Sequence, residues 1–179
     1  MNAVGPEGDG TAQKNSSKGE IQFRTPRPED GPDVTALIAN CPPLDTNSAY
    51  CNLLQCTHFA DTCVVAERDG KLVGWISGYR PPSNPDQIFV WQVAVDEDAR
   101  GEGLGGRMLD ELVSRPAVRG ATALITTVTE DNDASWGMFG GFAKRRGMTM
   151  TKEPLFERET HFAGKHDTEW QATIGPLRT

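Results

Sequence analysis

The sequence predicts a mixed α/β domain of the α+β kind, and three observations carry that prediction. Apolar β-rich runs alternate with amphipathic helical segments from residue 20 onward. One pair of runs is joined by a tight turn, which makes neighbouring strands antiparallel. The longest apolar strand, QIFVWQVAV, leads into a glycine-rich stretch and then at once into a helix.

Residues 1–19, MNAVGPEGDGTAQKNSSKG, hold almost nothing to bury and read as a disordered tail, which leaves 20–179 as a single domain. IQFRTPR alternates as a first strand. PEDGPDVTALIANC places acids ahead of Val34, Leu37 and Ile38 at helical spacing, the order a helix dipole favours. Pro42 and Pro43 break that helix, and Asp45, Thr46 or Asn47 stands where a second helix needs its cap. CVVAERDGKLVGWISGYR reads as a hairpin turning at Arg68, Asp69 and Gly70. After QIFVWQVAV, the set Leu104, Met108, Leu109, Leu112 and Val113 forms one face of a helix that Pro116 stops. ALITTVT is a buried strand, DNDASWGMFGGFAKRRG a helix ending at Gly147, and the remainder two further strands with a polar tail. The order is β, α, α, β, β, β, α, β, α, β, β, with no internal repeat.

A chain of 179 residues with a formal net charge of −7 can bury a real core, but it lacks the clustered Lys and Arg that nucleic acid demands. A cationic substrate suits the acidic balance better. No apolar run approaches the roughly 18 residues of a membrane span, and the N-terminus lacks the apolar core of a signal peptide. A cytoplasmic protein with no membrane partner is the expectation. Cys41, Cys51, Cys56 and Cys63 form no CxxC pair, so they are expected as small buried hydrophobes rather than zinc ligands, and no metal is expected.

The stretch ARGEGLGG opens a helix, where unsatisfied N–H groups and the dipole favour a phosphate, and its glycines let that phosphate approach the main chain. Gly-Lys-Ser/Thr is absent, which excludes a Walker A loop. Gly101, Gly103 and Gly106 spell G-x-G-x-x-G, yet the dinucleotide turn directly follows the first strand of its unit, whereas here three strands have passed and five residues intervene. Arg-x-x-Gly-x-Gly, at Arg100, Gly103 and Gly105, fits both its flanking elements. A glycine turn that only caps a helix is the plain structural alternative.

VAVDEDARGEGLGGRML resembles the acetyl-CoA pyrophosphate loop of the N-acetyltransferase superfamily often shortened to GNAT, and the element order is similar to that fold over about residues 20 to 160. The resemblance implies a mostly antiparallel, splayed sheet flanked by helices, and acetyl-CoA as co-substrate. Its diphosphate would rest on Arg100, Gly101, Gly103, Leu104, Gly105 and Gly106. The main chain at Val93 and Val95 would pair with the pantetheine arm, with a bulge there splaying the sheet and aiming an N–H at the thioester carbonyl. The family's second motif is matched by Asn132, Ser135 and Phe139. Its aromatic is often a Tyr that protonates the leaving thiolate, which Phe139 cannot do.

PPLDTNSAYCNLLQCTHF, FVWQVAV, TTVTEDNDASWGMFGGFA and HFAGKHDTEW are similar to the same segments of the L-2,4-diaminobutyrate acetyltransferases of ectoine biosynthesis. That resemblance implies acetylation of the γ-amine of diaminobutyrate, giving N4-acetyl-L-2,4-diaminobutyrate on the route to the osmoprotectant ectoine, by a homodimer. Two other readings stand beside it: an acetyltransferase for another amine, and a non-catalytic acyl-CoA-binding module, which Phe139 favours.

Diaminobutyrate carries two ammonium groups and one carboxylate near neutral pH, so its pocket needs carboxylates and at least one donor. Asp45, Thr46, Asn47 and Tyr50 are candidates, Asp45 for the α-ammonium and Thr46 or Asn47 for the carboxylate, with helix capping as the competing role. Alternation sends Trp91 to the face of Val93 and Val95, as pocket wall, cation–π partner or plain core. Glu169, three positions after His166, would face the same way in a helical turn and offer a general base with its orienter. A solvated acidic tail is the competing reading.

Overall fold

The computed structural model describes residues 18–177; the predicted tail falls mainly on 1–17, outside the described residues. The strands are β1 (Gln22–Arg24), β2 (Val64–Arg68), β3 (Lys71–Tyr79), β4 (Gln87–Val95), β5 (Ala123–Thr129), β6 (Thr149–Phe156) and β7 (Glu169–Gly175). They form one sheet in the order β1-β2-β3-β4-β5-β7-β6, antiparallel throughout except for the parallel β4–β5 pair. The helices are α1 (Gly31–Ala39), α2 (Ala49–Thr57), α3 (Leu104–Ser114), α4 (Asp133–Arg145) and α5 (Arg158–Phe162). The sequence reading contains the first four. With five residues, α5 is too short to show a period.

Local chemistry explains the boundaries. The β2–β3 turn takes Asp69 and Gly70 to φ of 52° and 78°, the twist a two-residue hairpin needs. Helix α4 is capped by Asn132, whose side chain accepts the Ser135 N–H at 3.0 Å, and it ends on Lys144 and Arg145 where the dipole favours cations. Asp45, Thr46 and Asn47 do not cap α2. That role belongs to Ser48, which accepts the Cys51 N–H at 3.1 Å.

The sheet carries a core on each face. Ile76, Ile88, Val90, Leu124 and Ile174 pack under α3 and α4, while Val65, Leu72, Trp75 and Ala94 pack under α1 and α2. Cys41, Cys56 and Cys63 belong to the second core as small hydrophobes. Burial pushes the Cys56 thiol up to about 11 and the Cys63 thiol up to about 12.

Two irregularities of β4 shape the cavities along it. Its parallel pairing with β5 covers only Gln87 to Val90 against Ala123 to Thr126, after which the two strands part. On its other edge, Gln92 pairs with Ser77 and Val90 with Gly78, so Trp91 is an extra residue in a bulge. The bulge breaks the alternation, and the predicted common face for Trp91, Val93 and Val95 is corrected accordingly. Val93 and Val95 pack on the α3/α4 side. Trp91 instead meets Tyr79 edge-on at 6.4 Å, in an aromatic cluster with Phe59 and Phe89.

Candidate active site

Where β4 runs into α3, glycine geometry builds a cavity of about 290 Å³ lined by Val95, Arg100, Gly101, Gly103, Leu104, Gly105 and Gly106, with Met138 and Arg145 from α4. Gly101 and Gly103 hold φ of 79° and 67°, a region that strains any residue with a Cβ. Gly103 is the N-cap of α3, so the free N–H groups of the first turn open on this cavity. A Cβ on Gly105 would sit 2.5 Å from Met138 Sδ, and one on Gly106 would sit 2.6 Å from Arg145 Nη2. The cradle floor is therefore main chain, kept bare of side chains, beside the Arg145 guanidinium, which pairs with Asp110 at 3.4 Å on the surface. The Arg100 side chain turns back instead, donating to the Val95 carbonyl at 3.2 Å and bracing the end of β4.

The gap left by β4 and β5 is a second cavity of about 940 Å³. Val90 to Val93 form one wall and Thr126 to Thr129 the other, and Asn132, Ser135 and Phe139 of the α4 end close it. Asn132 and Ser135 are joined to each other by the helix cap, while Phe139 is buried in the core. Asp45 and Asn47 reach the cavity from the α1–α2 loop, His166 from the chain between α5 and β7, and Glu169 from the first position of β7. Thr46 and Tyr50 are exposed and outside its lining. Five carboxylates line the walls: Asp45, Asp131, Asp133, Asp167 and Glu169. Such a wall suits a ligand rich in ammonium groups.

Glu169 does not share a helical turn with His166, as the sequence suggested. It is the first residue of β7 and pairs in register with Thr129. Its carboxyl stands half-buried, and its pKa is raised by burial and by the charge of Asp45. The diagonal neighbour Thr127 donates its hydroxyl and partly offsets the rise. A carboxylate in this state is a stronger base than a solvated one.

Gln92, which is not among the residues the sequence singles out, positions the loop. It is buried, donates to the Asp45 carbonyl at 2.7 Å and accepts from the Asn47 amide at 2.8 Å. Asn47 continues at 3.3 Å to Asn52, which donates to Thr35 at 2.9 Å. The chain of bonds fixes Asp45 at the cleft mouth and commits the Asn47 amide, so Asn47 holds the loop. A glutamine amid an apolar strand was the available signal.

Among the described residues no three His, Cys, Asp or Glu side chains converge as metal ligands. No helix among them is long and apolar enough to cross a membrane.

Comparison with known proteins agrees with this geometry. The acetyltransferase (GNAT) family model matches residues 32–142. The L-2,4-diaminobutyric acid acetyltransferase of Methylotuvimicrobium alcaliphilum is 46% identical over 158 residues, 88% of this chain and 92% of its own. That of Vibrio parahaemolyticus is 47% identical over 156 residues, 87% of this chain and 86% of its own. The structure of diaminobutyrate acetyltransferase EctA from Paenibacillus lautus, in complex with its substrate L-2,4-diaminobutyric acid and coenzyme A, superposes with a TM-score of 0.85 at 38% identity. It covers 90% of this chain and 98% of that one. A bare helix N-terminus beside a splayed, acid-lined strand edge, in a sequence this similar to those enzymes, places the chain in the GNAT acetyltransferase family, among the L-2,4-diaminobutyric acid acetyltransferases.

Proposed function

We propose that this chain transfers the acetyl group of acetyl-CoA to the γ-amine of L-2,4-diaminobutyrate. The observation that carries the reading is the adjacency of two cavities along β4 and α4, one a main-chain cradle at the start of α3, the other walled by carboxylates. The relatives' substrate, a short diamine with one carboxylate, matches the second cavity in charge.

Acetyl-CoA supplies the acetyl thioester. The N–H groups at Gly103 to Gly106 and the Arg145 guanidinium take the diphosphate, and the unpaired edge of β4 at Val93 and Val95 aligns the pantetheine arm. Asp45 holds the α-ammonium. Glu169 takes a proton from the γ-ammonium, with His166 beside it on the cavity wall, and so frees the lone pair for attack. Main-chain N–H beyond the Trp91 bulge stabilises the negative charge that develops on the acetyl oxygen. Phe139 supplies no proton, so the leaving thiolate departs without help from that position. Holding both reactants against one strand converts an encounter into an oriented attack.

The same reading puts the product on the route to ectoine and osmotic protection, in the cytoplasm, and expects a homodimer. The exposed apolar side chains of Tyr50, Leu53 and Phe59 on the α2 side support that assembly. The test is thiol release from acetyl-CoA with diaminobutyrate, ornithine, lysine, polyamines and peptides. The acetylated nitrogen is then located by mass spectrometry. Diaminobutyrate acetylated at N4 is the expected best product. A better turnover with another amine, or no amine-dependent release at all, would replace this reading with an acetyltransferase of other specificity or a non-catalytic acyl-CoA-binding module.

A further inference from the structure

The substrate just proposed carries a carboxylate into a cavity whose walls hold five carboxylates of their own, and a cation facing it offsets their repulsion more than a neutral donor can. The sequence candidates do not serve. The Asn47 amide is bonded to Gln92 and Asn52, and Thr46 lies outside the lining. Only two cationic side chains, Arg158 and Lys165, are on the wall among the described residues.

Arg158 is committed elsewhere. Its Nη1 pairs with Asp167 at 2.8 Å and its Nε with Glu159 at 3.5 Å, while its main-chain N–H donates to Thr168 at 3.1 Å. Those bonds close the base of the 157–168 connection, so Arg158 acts as its clasp. Lys165 has no ion-pair partner among the described residues. Its place is nonetheless fixed. Helix α5 ends with Ala163 and Gly164 at φ of 51° and 77°, the Gly164 N–H returns to the Arg158 carbonyl at 2.9 Å, and the Lys165 N–H reaches Phe162 at 3.0 Å. The rings of its chain neighbours Phe162 and His166 pack edge-on, and Phe156 and His161 extend that cluster.

We propose that Lys165 is the carboxylate anchor of this site: it holds the α-carboxylate of the amino-acid substrate and makes the enzyme select diaminobutyrate over a plain diamine. The inference rests on the reading above and adds the source of its selectivity. With the carboxylate on Lys165 and the α-ammonium on Asp45, the α-carbon is held at two points and the γ-nitrogen has a defined reach.

The test compares diaminobutyrate with 1,3-diaminopropane, which keeps both amines and lacks the carboxylate, in the full-length enzyme and its Lys165→Met, Lys165→Arg and Arg158→Met variants. Lys165→Met is expected to lower kcat/KM for diaminobutyrate about tenfold or more, mainly through KM, the range of a lost charge-assisted hydrogen bond. Its activity on diaminopropane should stay within about twofold of the parent, and Lys165→Arg should restore most of the selectivity. Parallel loss on both substrates, or a selective loss in Arg158→Met with Lys165→Met unaffected, would overturn the assignment. A parent enzyme that acetylates diaminobutyrate while Lys165→Met keeps its preference sinks this inference alone; a parent inactive on diaminobutyrate sinks the underlying reading with it.

Discussion

The glycine cradle and the acidic cleft share β4 and α4 but are built by opposite means. The floor of the cradle is one continuous piece of chain, Val95 to Gly106, closed by Met138 and Arg145 of α4, and it presents main-chain N–H groups exposed because side chains are missing. The cleft is assembled from the α1–α2 loop, two parted strands and the connection after α5, and its working groups are side chains far apart in sequence. A diphosphate is the same in every use of a cofactor and can be met by backbone. A substrate must be told from its neighbours, which takes side chains with individual placements.

If that contrast is sound, damage to each region should have its own signature. The largest effect belongs to Glu169. Glu169→Gln is expected to lower kcat by about 10²–10⁴-fold, the usual worth of a positioned base, with a far smaller change in either KM. In the parent, the rate should climb with pH through a value above the ordinary carboxylate range, since the charged form does the work and its pKa is raised. The same shift has an opposite sign for stability. A raised folded-state pKa means that the native state binds the proton more tightly, so stability falls as pH rises from the ordinary carboxylate value through the raised one. Glu169→Gln should therefore unfold at a higher temperature than the parent near pH 7, and that advantage should vanish near pH 4. A less stable variant at neutral pH would mean that the carboxylate is a structural partner instead.

Gly105→Val strikes the cradle. Its Cβ would meet Met138 Sδ at 2.5 Å and Val93 Cγ1 at 3.7 Å, so α4 must shift or the cavity must fill. At about 1–3 kcal/mol for such overpacking, KM for acetyl-CoA should rise roughly five- to 150-fold while KM for diaminobutyrate barely moves. Asp45→Asn should show the reverse, a KM for diaminobutyrate raised about tenfold with acetyl-CoA unaffected, because a charge-assisted contact becomes a neutral one. It should also move the acid limb of the pH profile downward, since the charge of Asp45 helps to raise Glu169. A pH profile that stays in place would show that the two carboxylates act separately. The smallest effect is expected from Ser48→Ala, which removes the α2 cap at a cost of about 1 kcal/mol measured by thermal unfolding. Both KM values should hold, which separates the capping role from the binding role within one loop.

Much of this molecule was legible residue by residue. QIFVWQVAV and ALITTVT are β4 and β5 to the residue, because each is a β-prone apolar run with polar or proline borders, although only β5 is buried along most of its length while burial alternates along β4. The glycine loop was legible for the same local reason: positive φ and a missing Cβ leave a mark in the sequence wherever they are needed. The cleft was legible only as a set of names. Asp45, Asn47, Trp91, His166 and Glu169 do line one cavity, but the helical turn expected between the last two and the face expected for Trp91 are not what the structure holds, and the competing capping role of Asp45 falls to Ser48. Each error concerns geometry set by a distant partner. Ser48 rather than its neighbours caps α2 because the helix starts at Ala49, while the Asn47 amide is held by Gln92, 45 residues away.

The sequence by itself determined the seven strands, the four longer helices and the glycine turn at the start of α3, since these follow from periodicity, turn chemistry and glycine, all of them short-range. Tertiary structure alone decided where β4 leaves β5, that Trp91 is the residue the bulge ejects, and that Asp45 faces Glu169 across the gap. Those outcomes depend on register between strands and on burial by segments far along the chain. No local pattern encodes the field that one carboxylate exerts on another.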